Sequence, residues 1–475
     1  MKKLLLILLA CALFVSYIAL AQETAEDEAW KSNLGEIIFS DSGASVSGDG
    51  VSADGSYVCI TKGGDYLVSG TTTNGMIEVI SEEKVKLRLS NANITNTQGP
   101  AICFTNSKKS FITLEEGTVN TLTDSETYSI EAKATLFSND TLEIKGNGTL
   151  SVTSAANHAI ASDDDIIIEN GIIAVTAAKD GFHANDDITI SGGSITVHGA
   201  NDAFESEGTF NITGGTFDIT AADDAFTAMG AFFISGGTFN VRSSFEAIES
   251  KDSITIDGGS FTIYATDDGL NAANALTING GDMYIRVTRG DAIDSNGTLV
   301  INGGNIIGEG AQMPEGGIDC DSRSVTINGG TLIAVGGVNS APGTDSAQKS
   351  VLLGGASANV NVTIENSSGE TIMSFIPAAS YSNMVFSSEK LKTGETYTVK
   401  NDQTTTMTFT VEGAVTSAGG TAGGFGGFGG RGMGGFGGMQ GGRGGDRNVR
   451  NQDQTAALFG AEGSGGTMTP PDGMT

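Results

Sequence analysis

Between residues 188 and 301, apolar and polar positions alternate in short bursts, each bounded by glycine. Ile188-Thr189-Ile190, Phe210-Asn211-Ile212, Ile254-Thr255-Ile256 and Leu276-Thr277-Ile278 stand just before a glycine pair. Ile195-Thr196-Val197, Phe217-Asp218-Ile219, Phe239-Asn240-Val241 and Phe261-Thr262-Ile263 stand just after it. A period of two in β-branched and aromatic residues reads as strands with one buried face. The glycine pair supplies the positive φ that a sharp corner requires. A third short segment completes each unit, as in Asp202-Ala203-Phe204-Glu205, Asp224-Ala225-Phe226-Thr227 and Asp291-Ala292-Ile293-Asp294.

The glycine pairs end at 193, 215, 237, 259 and 281, each 22 residues after the last, and continue at Gly304 and Gly330 with insertions of one and four residues. Backwards, the series runs through Gly171 and Gly148. Three short strands in one such unit cannot make a sheet alone, so each unit must stack on the next, about 4.8 Å away. The prediction is an all-β fold: a right-handed parallel β-helix of about 22 residues per coil. A propeller would need a period roughly twice as long, and leucine-rich repeats a leucine pattern that is absent. Phe217, Phe239, Phe261 and Met283 are expected to form one inward ladder, and Val197, Ile219, Val241, Ile263 and Ile285 another.

Outside the regular coils the pattern loosens. Val85-Lys86-Leu87-Arg88-Leu89 and Phe111-Ile112-Thr113-Leu114 alternate with poorer spacing, as irregular first coils under an N-terminal cap would. Strand candidates Val360–Glu365, Thr396–Lys400 and Thr406–Val411, with a turn at Lys392-Thr393-Gly394, mark a β-rich C-terminal cap. The organisation expected is a signal peptide over 1–21, cap and irregular coils over 22–140, regular helix over 141–350, C-terminal cap over 351–413 and a Gly-rich disordered tail over 414–475.

Lys2 and Lys3, the apolar run from Leu4 to Leu20 and Ala19-Leu20-Ala21 form a secretory signal, so a secreted or cell-surface location is expected. Leu8-Leu9-Ala10-Cys11 resembles a lipoprotein box, and an uncleaved anchor has the required length; both stay open beside cleavage. Gly419 to Gly445 scatters Phe, Met and Arg among glycines and cannot bury a core. It suits a linker or a weak surface attachment. Cys59, Cys103 and Cys320 are too few and too sparse for a disulfide framework; Cys103 and Cys320 read as small core residues.

With 25 Lys+Arg against 56 Asp+Glu, the formal charge of −31 makes nucleic acid a poor partner. A monomer is expected. The acids are not scattered. One column runs Asp180, Asp202, Asp224, Glu246, Asp268, Asp291; three positions on runs His183, Glu205, Thr227, Glu249, Asn271, Asp294, then Asp319. Asp186, Asp187, Glu207, Asp252, Asn296 and Asp321 stand nearby. Stacking sets neighbouring carboxylates about 5 Å apart, where each pair repels by about 1 kcal/mol in water and about 3 at an effective dielectric near 20. Lys251 and Arg289 are too few to offset this. Carboxylate and amide oxygens suit Ca2+, while three histidines (His158, His183, His198) offer little to transition metals. The ligand set expected is Asp180, Asp202, Glu205, Asp224, Glu246, Glu249, Asp268, Asn271, Asp291, Asp294, Asp319 and Asp321, with gaps near Thr227 and near Gly316–Gly317. The competing reading is that these acids cap turns through side-chain hydrogen bonds and otherwise face water.

Asp268-Gly269-Leu270-Asn271-Ala272, followed by Leu276-Thr277-Ile278-Asn279-Gly280-Gly281, resembles the secreted bacterial carbohydrate-binding β-helix family typified by a clostridial cellulose- and pectin-binding protein. Gly99-Pro100-Ala101-Ile102, Thr121-Leu122-Thr123-Asp124, Gly329-Gly330-Thr331-Leu332-Ile333-Ala334 and Leu391-Lys392-Thr393-Gly394-Glu395-Thr396-Tyr397 extend the resemblance over roughly 35–412. It implies a right-handed parallel β-helix, similar in shape to pectate lyases, that binds Ca2+ and plant cell-wall polysaccharide, pectin included.

Two other functions compete with calcium-dependent polysaccharide binding. A pectate-lyase-like enzyme needs a Lys or Arg base beside a cation; Lys251 and Arg289 are the candidates, each equally a charge partner for the column. A structural surface or adhesion protein needs neither ion nor glycan. The single Trp, Trp30, lies outside the repeats, which argues against a tryptophan platform for neutral sugars; Tyr264, Tyr284 and Phe233 are the remaining aromatic candidates.

Overall fold

The alternation 188–301 becomes a solenoid because each coil buries the inner half of every strand and gives both backbone edges to its neighbours. The computed structural model describes residues 29–420 apart from 222 and 323. The proposed signal over 1–21 and nearly all of the Gly-rich tail therefore lie outside the described residues.

Three parallel faces wind in order. Face one carries the short segments Phe182–Ala184, Phe204–Ser206, Phe226–Ala228, Ile248–Ser250, Leu270–Ala272 and Ile293–Ser295. Face two carries strands such as Phe210–Ile212 and Phe232–Ile234, and face three Thr216–Thr220, Thr238–Ser243 and Ser260–Ala265. On face one Phe182 pairs with Phe204, Phe204 with Phe226, Phe226 with Ile248 and Ile248 with Leu270, a step of 22 each time; Leu270 to Ile293 is a step of 23. Earlier steps are longer: 25 from Ile77 to Ile102, 34 from Ile102 to Leu136 and 24 from Leu136 to Ile160.

Both expected ladders point inward. Phe217, Phe239, Phe261 and Met283 are buried, as are Val197, Ile219, Val241, Ile263 and Ile285. Like residues stack face to face: Phe217 on Phe239 at 4.9 Å, Phe239 on Phe261 at 4.5 Å, Phe182 on Phe204 at 4.4 Å and Phe204 on Phe226 at 5.0 Å. Each such ring removes apolar surface that contributes about 1.5–3 kcal/mol, and stacking adds about 0.5–1.5 kcal/mol per pair. The corner after face two falls on the second glycine of each pair: Gly215, Gly237 and Gly259 have φ of 104°, 110° and 114°, a region that side chains rarely enter. In the oldest coil of the series the positive φ sits at Gly146 rather than Gly148. Cys103 and Cys320 are free and buried.

At the N-terminal end two antiparallel pairings, Leu34–Ser40 with Gly43–Ser47 and Val51–Asp54 with Tyr57–Ile60, close the first edges. At the other end Tyr381–Ser388 returns antiparallel between Thr331–Gly336 and Ser350–Ala356. A separate four-stranded sheet is built from Val362–Glu365, Thr371–Phe375, Thr396–Asn401 and Thr404–Thr410. The tail boundary at 414 is corrected: Val415–Ala418 is a strand parallel to Ser350–Leu352, with Val415 packed against the main core. Its apolar valine was hidden by the glycines that follow.

Candidate functional site

Along face one the outward residue of each short strand stacks on its equivalent one coil away: His183 on Glu205, Glu205 on Thr227, Thr227 on Glu249, Glu249 on Asn271 and Asn271 on Asp294. Asp319 follows, its amide bonded to the carbonyl of Ile293 at 2.8 Å. The other column lies at the corner entering this face. There the amides of Gly181, Ala203, Ala225, Ala247 and Gly269 donate to the carbonyls of Asp202, Asp224, Glu246, Asp268 and Asp291, each in the next coil. His158 occupies the same rung one coil before Asp180, because Ala159 N donates to Asp180 O at 3.0 Å.

The aspartates of this corner divide their two oxygens between two tasks. Oδ1 of Asp180 accepts the amide of Asp202 at 3.2 Å, Oδ1 of Asp202 that of Asp224 at 3.1 Å, and Oδ1 of Asp224 that of Glu246 at 3.1 Å. Asp268 and Asp291 repeat the contact to the amides of Asp291 and Gly316, at 2.7 and 2.5 Å. The turn-capping reading is therefore right for one oxygen. In two of them the second oxygen meets a neighbouring side chain: Oδ2 of Asp180 lies 2.9 Å from His158 Nδ1 in its own column and 3.6 Å from His183 Nδ1 in the other, and Oδ2 of Asp224 accepts Thr227 Oγ1 at 3.3 Å.

Ligand atoms converge within 4.8 Å of one another in three all-carboxylate groups on this face: Asp180, Asp202 and Glu205; Asp224, Glu246 and Glu249; Asp291, Asp294 and Asp319. Two carboxylate oxygens on one Ca2+, each at 2.3–2.6 Å, lie at most about 5 Å apart, so the donor type and spacing both fit that ion. The first two groups share one rule, a residue n with n+22 and n+25 (180, 202, 205; 224, 246, 249). Between them the rung of Thr227 breaks the set, and the next is broken by Asn271, so clusters recur at every second coil, about 10 Å apart.

Three expected ligands fall outside these groups. Asp268 is half-buried and accepts the amide of Asp291 as its equivalents do, but among the described residues its ligand atoms converge with no second and third acid. Asn271 Nδ2 donates to Glu246 Oε2 at 3.1 Å, and its Oδ1 accepts Asn296 Nδ2 at 3.3 Å, so it braces rather than joins a cluster. Asp321 sits on an exposed turn. Gly316, where a gap was expected, stands beside the cluster of Asp291, Asp294 and Asp319, because Asp319 replaces the missing carboxylate from the other column. Lys251 is ion-paired with Glu249 and serves as a charge partner; Arg289 is exposed.

Two groups join residues that the sequence presents only separately. His158 and His183 stack with ring centroids 4.4 Å apart over Asp180, and His183 Nδ1 also lies 3.0 Å from Glu205 Oε2. Their signal was spacing: 158 to 180 is 22, but the preceding coils are irregular and hide the alignment. Asp164 and Asp165 converge with Asp186 at the next corner.

Protonation reflects this crowding. Burial first, then neighbouring carboxylates, pushes Asp202 and Asp294 up to about 7, Glu246 to about 8 and Asp291 to about 9. Asp224 and Asp268 rise to about 6 for the same reasons. At the histidine end the order reverses. Burial opposes the charge of Asp180, but hydrogen bonds to His158 and His183 outweigh it and hold the carboxyl well below its usual range. Burial likewise opposes charge on His183, yet Asp180 and Glu205 carry it up to about 9.

Against known proteins, a family model described as carbohydrate-binding domain-containing protein matches residues 54–292 and 246–421. A protein of that description from Acetivibrio thermocellus is 37% identical over 137 residues, covering 27% of this chain and 48% of the relative. The chain thus matches about half the length of that curated relative. A solved structure of a polysaccharide lyase-like protein from C. thermocellum, a gadolinium derivative, is 31% identical and covers 51% of this chain and 96% of its own, with a TM-score of 0.42. The clostridial resemblance drawn from the repeats is borne out, and with the family model matched from residue 54 to residue 421, this chain belongs to the family of carbohydrate-binding domain-containing proteins.

Proposed function

We propose that this protein binds acidic plant cell-wall polysaccharide, pectin or polygalacturonate before cellulose, outside the cell and through Ca2+ held on face one. The observation that carries the reading is the repetition of a three-carboxylate cluster along one face, at Asp180–Asp202–Glu205, Asp224–Glu246–Glu249 and Asp291–Asp294–Asp319. Three protein oxygens leave room in a coordination shell of six to eight. When bound, the ion supplies a positive charge that both the protein and a uronate carboxylate can share. Without it, a chain of formal charge −31 repels a polyuronate.

Main-chain amides hold Asp180, Asp202 and Asp224 through Oδ1, which leaves Oδ2 of each as the oxygen that an ion would take. Lys251 is engaged by Glu249, which speaks for binding over proton abstraction. The test is binding to a glycan array, polygalacturonate and cellulose included, with Ca2+ and with chelator. Calcium-dependent retention on uronates is expected. Equal retention in chelator, or none in either, removes the reading; unsaturated product from polygalacturonate would replace it with a lyase.

A further inference from the structure

We propose that His158, Asp180 and His183, with Glu205 beside them, form a site for a borderline divalent transition-metal ion, Zn2+ before others. The placement repeats the rule of the carboxylate clusters: 158, 180 and 183 stand as n, n+22 and n+25, as do 180, 202 and 205. Only the chemistry changes, since imidazoles replace two of the three carboxylates. The three ligand atoms lie within 4.8 Å of one another.

The distances suit a small tetrahedral ion. His158 Nδ1 is 2.9 Å from Asp180 Oδ2, and His183 Nδ1 is 3.6 Å from that oxygen and 3.0 Å from Glu205 Oε2. Around a zinc ion with bonds of about 2.0–2.1 Å, neighbouring ligand atoms sit about 3.3 Å apart. Each of these atoms is a metal donor once its proton is lost, and contacts this close need a proton or a cation between them. The Asp180 amide also points at His158 Nδ1, at 3.4 Å. The side chains are largely shielded, with 12, 7 and 14% exposed for His158, Asp180 and His183. The two rings stack at 4.4 Å, and both Nδ1 atoms face Asp180 Oδ2.

Nitrogen donors select zinc, copper or nickel over calcium, so face one would change metal preference along its length. The ligands come from three consecutive coils: His158 from one, Asp180 and His183 from the next, Glu205 from the third. A bound ion would clamp them together, at the point where irregular coils give way to the 22-residue rhythm. The inference rests on the histidines and stands apart from calcium or sugar binding, although Asp180 and Glu205 also belong to the first carboxylate cluster.

The test titrates the whole exported chain, stripped of metal, with zinc chloride alone and again in excess calcium chloride, and records the visible spectrum with Co2+. One zinc ion per chain that survives excess calcium, and a tetrahedral cobalt spectrum, are expected. His158→Ala and His183→Ala should each weaken zinc uptake at least about tenfold, more than losing an outer-shell partner costs. His198→Ala, at an exposed position, should not. Unchanged uptake in both histidine variants, displacement of zinc by calcium, or an oxygen-only cobalt spectrum would overturn the site. Because the first titration contains no calcium or glycan, failure of the calcium reading leaves a different signature: zinc uptake intact, with no calcium uptake.

Discussion

Asp202 Oδ1 accepts the amide of Asp224 at 3.1 Å, one coil further on, while its carboxylate also belongs to the cluster with Asp180 and Glu205. One side chain thus serves the stacking of the coils and the proposed ion at once, and the two roles separate by mutation. Asp202→Asn keeps an oxygen for the amide but loses the charge. In chelator its melting temperature should equal or exceed that of the wild type, because a crowded negative charge is gone, while the rise on adding Ca2+ shrinks. Asp202→Ala leaves a shielded amide unpaired, at a cost of about 1–3 kcal/mol, and should melt lower in chelator as well. Scanning calorimetry with and without calcium distinguishes these outcomes.

Thr227 interrupts the carboxylates between Glu205 and Glu249. Thr227→Glu supplies the missing third group beside Asp202 and Asp224. The variant should bind one more calcium ion per chain by isothermal titration and melt lower than wild type in chelator. Unchanged stoichiometry would mean that the n, n+22, n+25 rule does not define a cluster.

The raised carboxyls make the metal-free fold sensitive to alkali. Asp202, Glu246, Asp291 and Asp294 hold their protons more tightly folded than unfolded, so their contribution is present below the ordinary carboxylate range. It is lost progressively as pH rises through about 7 to 9. His183, raised to about 9, adds to the loss over its upper part. In chelator, denaturant midpoints should fall from pH 5 to pH 8.5, and calcium should stabilise more at the higher pH. Midpoints that rise over this interval would contradict the assigned crowding.

Phe226 lies at the centre of the aromatic core, stacked on Phe204 at 5.0 Å and edge-on to Phe217 and Phe239 at 5.5 and 5.8 Å. Phe226→Ala should cost about 3–5 kcal/mol in equilibrium unfolding. A loss below 1 kcal/mol would show that the stack relaxes into the space.

The solenoid was legible because Ile188-Thr189-Ile190 and its copies repeat a period of two inside a period of 22, and stacking follows from those two numbers. Both acidic columns were legible for the same reason. What stacking alone cannot convey is which rungs close into a group. That depends on side-chain reach and on which partners a group already holds, as Asn271 shows. His158 was not placed on the column of Asp180 because the coil before it runs 24 residues, which throws the alignment out of step. The return strand Tyr381–Ser388 pairs antiparallel with neighbours 25 or more residues away, a relation that no local pattern announces.

The alternation of acid with Thr227 and Asn271 makes face one a ruler graduated at two-coil intervals. A short sugar would touch a single graduation and leave readily. A polymer whose charges fall in step would engage several, each raising the effective concentration of the next, so that length and charge spacing, more than the identity of any one sugar, would set how firmly a chain is held.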